Sequence, residues 1–390
     1  MNTEREKAID AYITQHEDAK LPGPLPVSIH GTIDSRPVYR LPINLLTFNL
    51  TNGRFAAELL DREEKEGRSL DSTNAEDAAI IRKFLLDQNE AETNALTDEL
   101  VKNGQLDPGI ITFDGAVING NRRMSLLQTL KEKTGDEKYD YLIVARLPRG
   151  VDHKDLWRIE AKLQFGRDYR LEYGAVNELL KIRAGRQSGL GAKEISQALI
   201  GRYSEKQVED RLKILKLIEN YLVYIGKPKQ YKLIQENRIV EHFNSLHNNV
   251  ISSLANGAQR GDIPKLTEIA FALTSTGKYS HWNIRELKKI AQVEKAKKEL
   301  FKAFDAKGKL AKKAVVANAF SDAQSEVENK KYEGEPERLA KRALSALQGI
   351  DSAHSGVGKL EVQKILAGIK VEIDRLISVG ASSGKKASKL

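Results

Sequence analysis

Two arginines stand directly after a glycine turn, and these residue types suit the binding of an anion. Arg122 and Arg123 follow Gly120-Asn121, and apolar residues at helical spacing run from Met124 to Leu130. Both arginines therefore lie in the first turn of a predicted helix, where backbone N–H groups bind anions and guanidinium groups add charge-assisted hydrogen bonds. The chemistry indicated is the binding of a phosphate chain, from a nucleotide or a DNA backbone. The alternative is a surface turn whose arginines pair with carboxylates.

A hairpin precedes this turn and would fix its position. The apolar run Gly109–Phe113 ends at Asp114-Gly115, which is a strong hairpin signal, and Ala116–Ile118 forms the returning strand. A continuous apolar segment, Tyr141–Leu147, predicts a buried strand further along. The sequence thus predicts a hairpin, a glycine turn and a helix in direct succession.

After residue 150 the pattern is helical, and one segment is typical of a helix-turn-helix. A first helix buries Ile195, Ala198 and Leu199, a turn contains Gly201, and a second helix begins after the predicted N-cap Ser204. In DNA-binding proteins the second helix enters the major groove. The candidate DNA contacts are Lys193, Ser204, Lys206, Gln207 and Arg211. Three acids on that helix repel phosphates, so a packed helical hairpin without a DNA role is the alternative. These acids are Glu205, Glu209 and Asp210.

The positive charge of the chain is concentrated near its end. The formal net charge of the 390 residues is +9, and the part from Lys288 onward holds 22 Lys and Arg against 13 Asp and Glu, which accounts for all of it. A neutral body with a basic end indicates contact with a polyanion, first of all nucleic acid. A solvated lysine-rich surface is the alternative.

Composition excludes several classes of protein. There is no cysteine, which rules out disulfides, thiol nucleophiles and cysteine-ligated metals. The seven histidines are scattered, so no metal site is predicted. No apolar run is long enough for a bilayer, and the charged start MNTEREKAID lacks the apolar region of a signal peptide. We expect a cytoplasmic protein without a membrane partner.

These patterns predict an α+β protein in four parts. The parts are a helical extension and linker (1–37), an α/β domain (38–150), a helical helix-turn-helix domain (151–230) and a basic helical region (231–390). The proline-rich Leu21–Pro26 predicts a rigid break within the linker. The last helix carries an a/d stripe from Val362 to Leu376, which makes the final part a candidate for dimerisation, although ordinary packing explains such a stripe equally well.

Five segments occur in an order and at a spacing that are typical of one family. They are Leu41–Arg54, Asn103–Pro108, Gly120–Arg123, Glu160 with Gln164 and Arg167, and Arg211–Leu217. In this order they resemble the strand-and-turn box, the glycine–proline box, the arginine box, the glutamate–glutamine–arginine box and the closing leucine-rich helix of the ParB superfamily. The resemblance covers about residues 38–225.

The resemblance implies a ParB/sulfiredoxin-like α/β domain that binds CTP or ATP, with Mg²⁺ as a candidate ion, followed by a domain that binds double-stranded DNA. The implied nucleotide-binding residues are Gly104, Gln105, Gly120, Asn121, Arg122, Arg123, Glu160, Gln164 and Arg167. Where the family carries the glutamate of its arginine box, this chain has Asn121. An amide cannot act as a base, so the resemblance implies nucleotide binding more directly than hydrolysis.

The expected function is that of a nucleotide-dependent DNA-binding protein in plasmid or chromosome partition or in DNA-linked regulation. It would act as a homodimer, with a partition-type ATPase or a defence-system protein as a further partner. The alternative is a ParB-like NTPase or nuclease in DNA modification or phage defence. A third possibility is an adaptor that uses the fold to bind proteins, with the acidic second helix as its partner surface.

Overall fold

The computed structural model describes the backbone of residues 3–165 and 174–387, and the side chains of residues 3–163 and 174–379. Within these ranges the chain forms one six-stranded mixed sheet and is otherwise helical, which confirms the predicted α+β class. The strands are β1 Lys20–Ile29, β2 Thr32–Pro42, β3 Thr47–Phe48, β4 Gly109–Ile111, β5 Ala116–Asn119 and β6 Tyr141–Arg146.

The order of strands in the sheet is β1-β2-β6-β4-β5-β3. β4 pairs with β6 and β3 pairs with β5 in parallel, whereas the other neighbours are antiparallel. The predicted hairpin is confirmed as β4–β5, and the predicted buried strand as β6. All six strands precede residue 147, so the described part of the chain after that residue is helical apart from one isolated bridge.

The proline-rich segment Leu21–Pro26 is not a break between elements, and this prediction was wrong. It lies within β1, which occupies one edge of the sheet. The pairing register with β2 shifts between Leu21 and Leu25, so the segment forms an irregularity in the strand. Proline is tolerated there because an edge strand leaves one side of its backbone without partners. The segment predicted as a linker is thus half of the β1–β2 hairpin.

Helices cover both faces of the sheet. We call residues 3–165 the sheet half and residues 174–387 the helical half. The helices of the sheet half are α1 Thr3–Gln15, α2 Ala56–Glu66, α3 Ala75–Asp87, α4 Glu90–Asn103, α5 Asn121–Thr134 and α6 His153–Phe165. Ile111 and Val117 point to a core shared with α3 and α5, while their neighbours Ile110 and Ile118 point to a smaller core with α6. This alternation is the period of two that places successive strand residues on opposite faces.

The remaining helices build two further cores. They are α7 Ala175–Gln187, α8 Ala192–Ala198, α9 Glu205–Tyr224, α10 Lys232–Glu236, α11 Val240–Ser245, α12 Ser252–Leu254, α13 Ile263–Thr274, α14 His281–Gln292, α15 Glu294–Phe301, α16 Lys313–Gln348 and α17 Leu360–Ala387. A π-helical segment, Leu246–Ile251, joins α11 to α12. One core surrounds Trp157 and Val208, and the larger one holds Phe243 and Phe320.

The end of the described chain forms an arm, residues 328–379, that projects from the larger core. The buried residues of α16 end at Ala323. In α17 only one face, with Val362, Leu366 and Ile369, is half-buried, while Ile373 and Leu376 are exposed. The predicted apolar stripe is therefore present on a helix whose second half has no cover among the described residues.

Candidate functional site

The glycine turn before α5 has the geometry that its sequence predicts. Gly120 caps α5 with a φ of 112°, a conformation that side chains disfavour. Gly109 lies opposite, where a Cβ atom would come within 2.5 Å of the Asn119 carbonyl oxygen. Two glycines thus allow β4 to pass close to the end of β5. The sheet therefore fixes the position of the glycine turn and of the start of α5.

Asn121 is buried and serves to join two segments. Its Nδ2 donates to the Val117 carbonyl at 2.6 Å, and its Oδ1 accepts from the backbone N–H of Asn49 at 3.3 Å. A carboxylate could accept from Asn49 but could not donate to Val117. The two hydrogen bonds therefore require an amide at this position. Asn121 ties the start of α5 to the turn after β3.

Arg122 points into the protein, toward the beginning of α4. Its Nη1 donates to Glu92 at 3.1 Å, and its Nη2 donates to Thr93 Oγ1 at 2.7 Å and to the Asn89 carbonyl at 3.1 Å. Only 7% of the residue is exposed. In this arrangement the guanidinium fixes the first turn of α4 instead of facing solvent.

Arg123 points in a different direction. Its Nη1 donates to the carbonyl of Asp107, in the loop between α4 and β4. Successive residues of an α-helix are rotated by about 100°, so neighbouring arginines cannot share one face. The structure therefore does not bring the two guanidinium groups together, and the predicted double grip on one phosphate chain is absent from this arrangement.

Gly104 and Gln105 also have structural partners. Gly104 ends α4 with a φ of 70°, and its N–H donates to the Leu100 carbonyl. The Gln105 side chain donates to the Tyr141 carbonyl at 2.8 Å and accepts from the Ile143 N–H at 2.9 Å. The amide thus continues the hydrogen bonding of β6 beyond its neighbour β4. It is engaged with the start of β6 and not with a base or ribose position.

Glu160 lies in a buried ion pair. Its Oε2 is 2.7 Å from the Nζ atom of Lys181, and its Oε1 accepts from the Gly53 N–H at 3.1 Å. Burial lowers the pKa of Lys181, and the nearby Glu160 carboxylate opposes this shift. The pair joins α6 and α7 to the turn after β3. The side chain of Gln164 and the whole of Arg167 lie outside the described residues.

The turn of residues 49–54 is the point where these connections meet, and we call it the hub turn. Asn49 is bonded to Asn121, and Gly53 to Glu160. The carbonyl of Arg54 accepts from the side chain of Asn177, whose Oδ1 accepts from the Ala57 N–H. Three segments that are distant in sequence are thus fixed on one short turn.

A cleft of about 520 Å³ opens beside the hub turn, between the sheet half and the helical half. Its lining residues are Arg54, Glu58, Gln88, Asn89, Glu92, Gly174, Ala175, Val176, Asn177, Ile234, Gln235, Arg238, Val240 and Glu241. The first turn of α7 lies on one wall, and the partners of Arg122 lie on another. Burial raises the pKa of Glu58, so its carboxyl accepts a proton more readily than an exposed glutamate.

Several cleft residues carried no recognisable signal in the sequence. Asn177, Arg238 and Glu241 come from segments that matched no motif, and the chain fold alone places them beside Arg54. Arg238 follows Asn237 with a φ of 53°, in the left-handed region that asparagine and glycine normally occupy. Sequence reasoning could have identified Arg54, which ends the first family box, but it gave that residue no role.

The helix-turn-helix has the predicted form, with α8 and α9 joined by a turn through Gly201. Ser204 and Gln207 form a capping box, in which each side chain bonds to the backbone of the other. Lys193 and Lys206 are exposed. Ser204 and Gln207 are therefore engaged in capping, while the two lysines are open to a ligand.

Arg211, the remaining candidate DNA contact, is held within the protein. Its guanidinium lies 3.8 Å from the centre of the Tyr203 ring and 3.3 Å from Glu178. Glu178 is buried and also accepts from the Tyr203 hydroxyl at 2.5 Å. Arg211 thus compensates a buried carboxylate, and its side chain is 28% exposed.

The acidic residues of α9 are partly neutralised. Glu209 pairs with Arg186, and Asp210 lies 3.2 Å from His247 and 3.5 Å from Lys213. These contacts weaken the expected repulsion of phosphates by two of the three acids. The structure thus removes part of the objection to a DNA-facing α9.

Comparison with known proteins adds no relative to these observations. No protein-family model and no curated protein sequence matches the chain. Within residues 3–165 and 174–387, no helix has both the length and the apolar character needed to cross a bilayer. No group of three or more metal-ligating side chains was found in the same ranges.

Proposed function

We propose that this chain is a nucleotide-dependent DNA-binding protein that binds CTP or ATP in the cleft beside the hub turn. The observation that carries the proposal is the convergence on that turn. Arg54 ends the first box that resembles ParB proteins, Asn121 belongs to the arginine box, and Glu160 to the fourth box. Arg54 is part of the hub turn and lines the cleft. Asn121 and Glu160 are linked to the same turn by hydrogen bonds with the backbone N–H groups of Asn49 and Gly53. Boxes that recur for a common ligand are expected to meet in space.

In this proposal the cleft supplies the phosphate contacts. Arg54 and Arg238 bring two guanidinium groups to its lining, and the first turn of α7, whose cap Gly174 has no side chain, presents backbone N–H groups. The three glutamates of the lining, Glu58, Glu92 and Glu241, would oppose a bare polyphosphate. A Mg²⁺-bound nucleotide reduces this repulsion, which makes the Mg²⁺ complex the favoured form of the ligand.

The same proposal assigns duplex DNA to the surface of α8 and α9. The exposed Lys206 lies in the first turn of α9, the end that enters the major groove in helix-turn-helix proteins, and the exposed Lys193 lies in the first turn of α8. α7 begins at the cleft and packs on α9, with Arg183 of α7 bonded to Glu219 of α9 at 2.6 Å. A ligand that moves the start of α7 therefore acts on the helix that faces DNA.

We further propose that the arm makes the protein a homodimer, because the second half of its apolar stripe has no cover among the described residues of one copy. A partition-type ATPase or a defence-system protein remains the proposed further partner, on the ParB resemblance alone.

Glu58 favours a hydrolytic variant of the function, since a carboxyl with a raised pKa beside a phosphate site suits proton transfer. Phosphate release with CTP or ATP distinguishes this NTPase from a protein that only binds.

Calorimetric titration with CTP and ATP, in the presence of Mg²⁺ and with or without duplex DNA, tests the proposal. We expect one nucleotide to bind, and we expect Arg54→Ala and Arg238→Ala each to weaken it at least tenfold, because charge-assisted hydrogen bonds contribute about 1.5–3 kcal/mol. Arg260→Ala, on an exposed turn outside the cleft, is the matched control. Absence of binding under all conditions would refute nucleotide dependence.

A further inference from the structure

A small hairpin between α15 and α16 carries an unusual set of lysines. The segment of residues 302–313, which we call the lysine hairpin, contains five lysines and one acid, Asp305, for a net charge of +4. The lysines are Lys302, Lys307, Lys309, Lys312 and Lys313, and all of them are exposed. The hairpin therefore carries four of the nine positive charges that the sequence places near the end of the chain.

The hairpin is held in a defined shape. Phe304 and Leu310 form a β-bridge, and the Ala311 N–H donates to the Ala303 carbonyl at 2.8 Å. Phe304 and Leu310 are half-buried against the larger helical core, which also contains the fully buried Ala303. The lysine side chains thus project from a fixed loop.

Asp305 is turned toward the backbone of the hairpin. Its Oδ1 accepts from the N–H groups of Lys307 and Lys309 at 2.9 and 2.8 Å. The Gly308 N–H donates to its carbonyl at 2.9 Å, with a φ of 75° at Gly308. The only carboxylate of the segment therefore organises the tip, and it forms no ion pair with the lysine side chains among the described residues.

The lysines of the helical half include some with a carboxylate partner and some, such as Lys288 and Lys295, without one among the described residues. Lys289 pairs with Glu286 and Lys341 with Glu337. Within the described part of the chain, Lys307, Lys309 and Lys312 have no carboxylate within ion-pair distance, whereas Lys302 pairs with Glu299. Three uncompensated ammonium groups on a rigid loop present a local positive field.

We propose that the lysine hairpin binds the phosphate backbone of double-stranded DNA, as a second contact outside the helix-turn-helix. Lysine acts as a point charge that suits phosphates without reading bases. No tyrosine, tryptophan or histidine lies within the segment, and its only aromatic residue, Phe304, is packed inward, so stacking on single-stranded bases is not provided. The contact is therefore independent of sequence. The inference rests on the proposed DNA-binding function and deepens it.

The test compares two triple variants of equal charge in the full chain. One is Lys307→Gln/Lys309→Gln/Lys312→Gln, and the matched control is Lys7→Gln/Lys83→Gln/Lys133→Gln, three exposed lysines on helices of the sheet half. Binding to a random-sequence 40-base-pair duplex is followed by fluorescence anisotropy between about 50 and 200 mM salt, a range over which phosphate contacts change affinity strongly. Folding of both variants is checked by circular dichroism.

The hairpin variant is expected to bind at least about tenfold more weakly at the low-salt end. The slope of log affinity against log salt should become shallower by up to about 2.7, because each phosphate contact contributes about 0.9. The control should change both quantities far less. Asp305→Asn retains the backbone acceptor and removes the negative charge, so we expect it to tighten binding.

Equal effects of the two triple variants, or an unchanged salt slope, would overturn the second contact. So would a failure of Asp305→Asn to tighten binding, or lysine-dependent binding to anionic phospholipid vesicles with none to DNA. The proposed function is tested separately by Lys206→Gln. If that variant weakens DNA binding while the hairpin variant does not, only the second contact fails. If the wild-type chain binds no duplex at all, the DNA-binding function fails as well.

Discussion

Glu160→Gln should destabilise the protein by stranding a buried ammonium group. Lys181 is 1% exposed, and the Glu160 carboxylate is its ion-pair partner at 2.7 Å. The glutamine keeps an acceptor for the Gly53 N–H, so the backbone link to the hub turn is preserved. What is lost is the charge that compensates Lys181. Removing one partner of a buried pair costs about 3–5 kcal/mol of unfolding free energy.

A second substitution separates this effect from a general loss of packing. Lys181→Met has similar volume and no charge, so Glu160→Gln/Lys181→Met places two neutral groups in the same space. Buried pairs are often replaced by neutral groups at little cost. We therefore expect the double variant to recover most of the stability lost in Glu160→Gln, a strong non-additivity that a double-mutant cycle measures.

Urea denaturation followed by Trp157 fluorescence measures these free energies. The indole Nε1 of Trp157 donates to the Lys181 carbonyl at 3.0 Å, and the Lys181 ammonium lies 5.3 Å from its ring. The chain has two tryptophans, so a Trp282→Phe background removes the exposed one. A cost below about 1 kcal/mol for Glu160→Gln, or a double variant no more stable than the single one, would contradict the reasoning.

The pH dependence of folding stability provides a second test of the same ion pair, because the direction of the change is determined by the pKa of Lys181. Burial lowers the pKa of Lys181 in the folded state, so between that pKa and its usual value near 10.5 the unfolded state binds more protons. The contribution of this group to stability therefore rises as pH rises through that window. The rise should be larger in Glu160→Gln, where the opposing carboxylate is gone, and absent when Lys181 is replaced by methionine.

Two further predictions concern separate parts of the molecule. Burial raises the pKa of Asp61 from 3.8 to about 6, with hydrogen bonds from the Lys232 and Tyr231 backbone opposing it. The folded state therefore binds more protons than the unfolded state between those values, and stability falls as pH rises through this window. Asp61→Asn should stabilise the protein by roughly 1–2 kcal/mol at pH 7.5 and little near pH 4 in urea denaturation, and an equal gain at both pH values would contradict this. In the arm, Ile373→Glu should shift sedimentation toward monomer without changing thermal stability of the monomer, because that side chain is 43% exposed; Lys364→Glu, on the same helix, is the control, and a dimer that persists in Ile373→Glu would exclude this stripe as the contact.

The parts of the fold that sequence reasoning found are local ones. The β4–β5 hairpin, the glycine turn and α5 follow one another within about 30 residues, and each has a short-range signal. The same holds for the N-cap Ser204 at the start of α9. By contrast, Leu21–Pro26 was misread because three prolines suggest a break, and only the sheet order reveals that the segment lies at an edge. Edge position is a property of the assembled sheet and has no local signature.

The cleft could not be predicted for a related reason. Its walls come from the hub turn, the α3–α4 connection, the start of α7 and residues 234–241, which are joined only by tertiary packing. Motif reading placed Gln105 and Arg122 in a ligand site because it considered residue type and order. In the structure their side chains form hydrogen bonds with the start of β6 and the start of α4. A polar side chain near a site can instead form hydrogen bonds with backbone groups that have no other partner, and a sequence does not show which backbone groups those are.

The direction of the two arginines shows where sequence reasoning could have gone further. Their adjacency suggested a joint phosphate grip, yet a helix that starts at Asn121 must separate them by about 100°. The helix start was correctly predicted, so the divergence was derivable before any coordinates. The sequence could not show that Arg122 forms hydrogen bonds with Asn89 and Glu92, two residues that line the cleft. Arg122 therefore stabilises one wall of the proposed site without lining it. Arg54 and Arg238 are the arginines that a phosphate group in the cleft would contact.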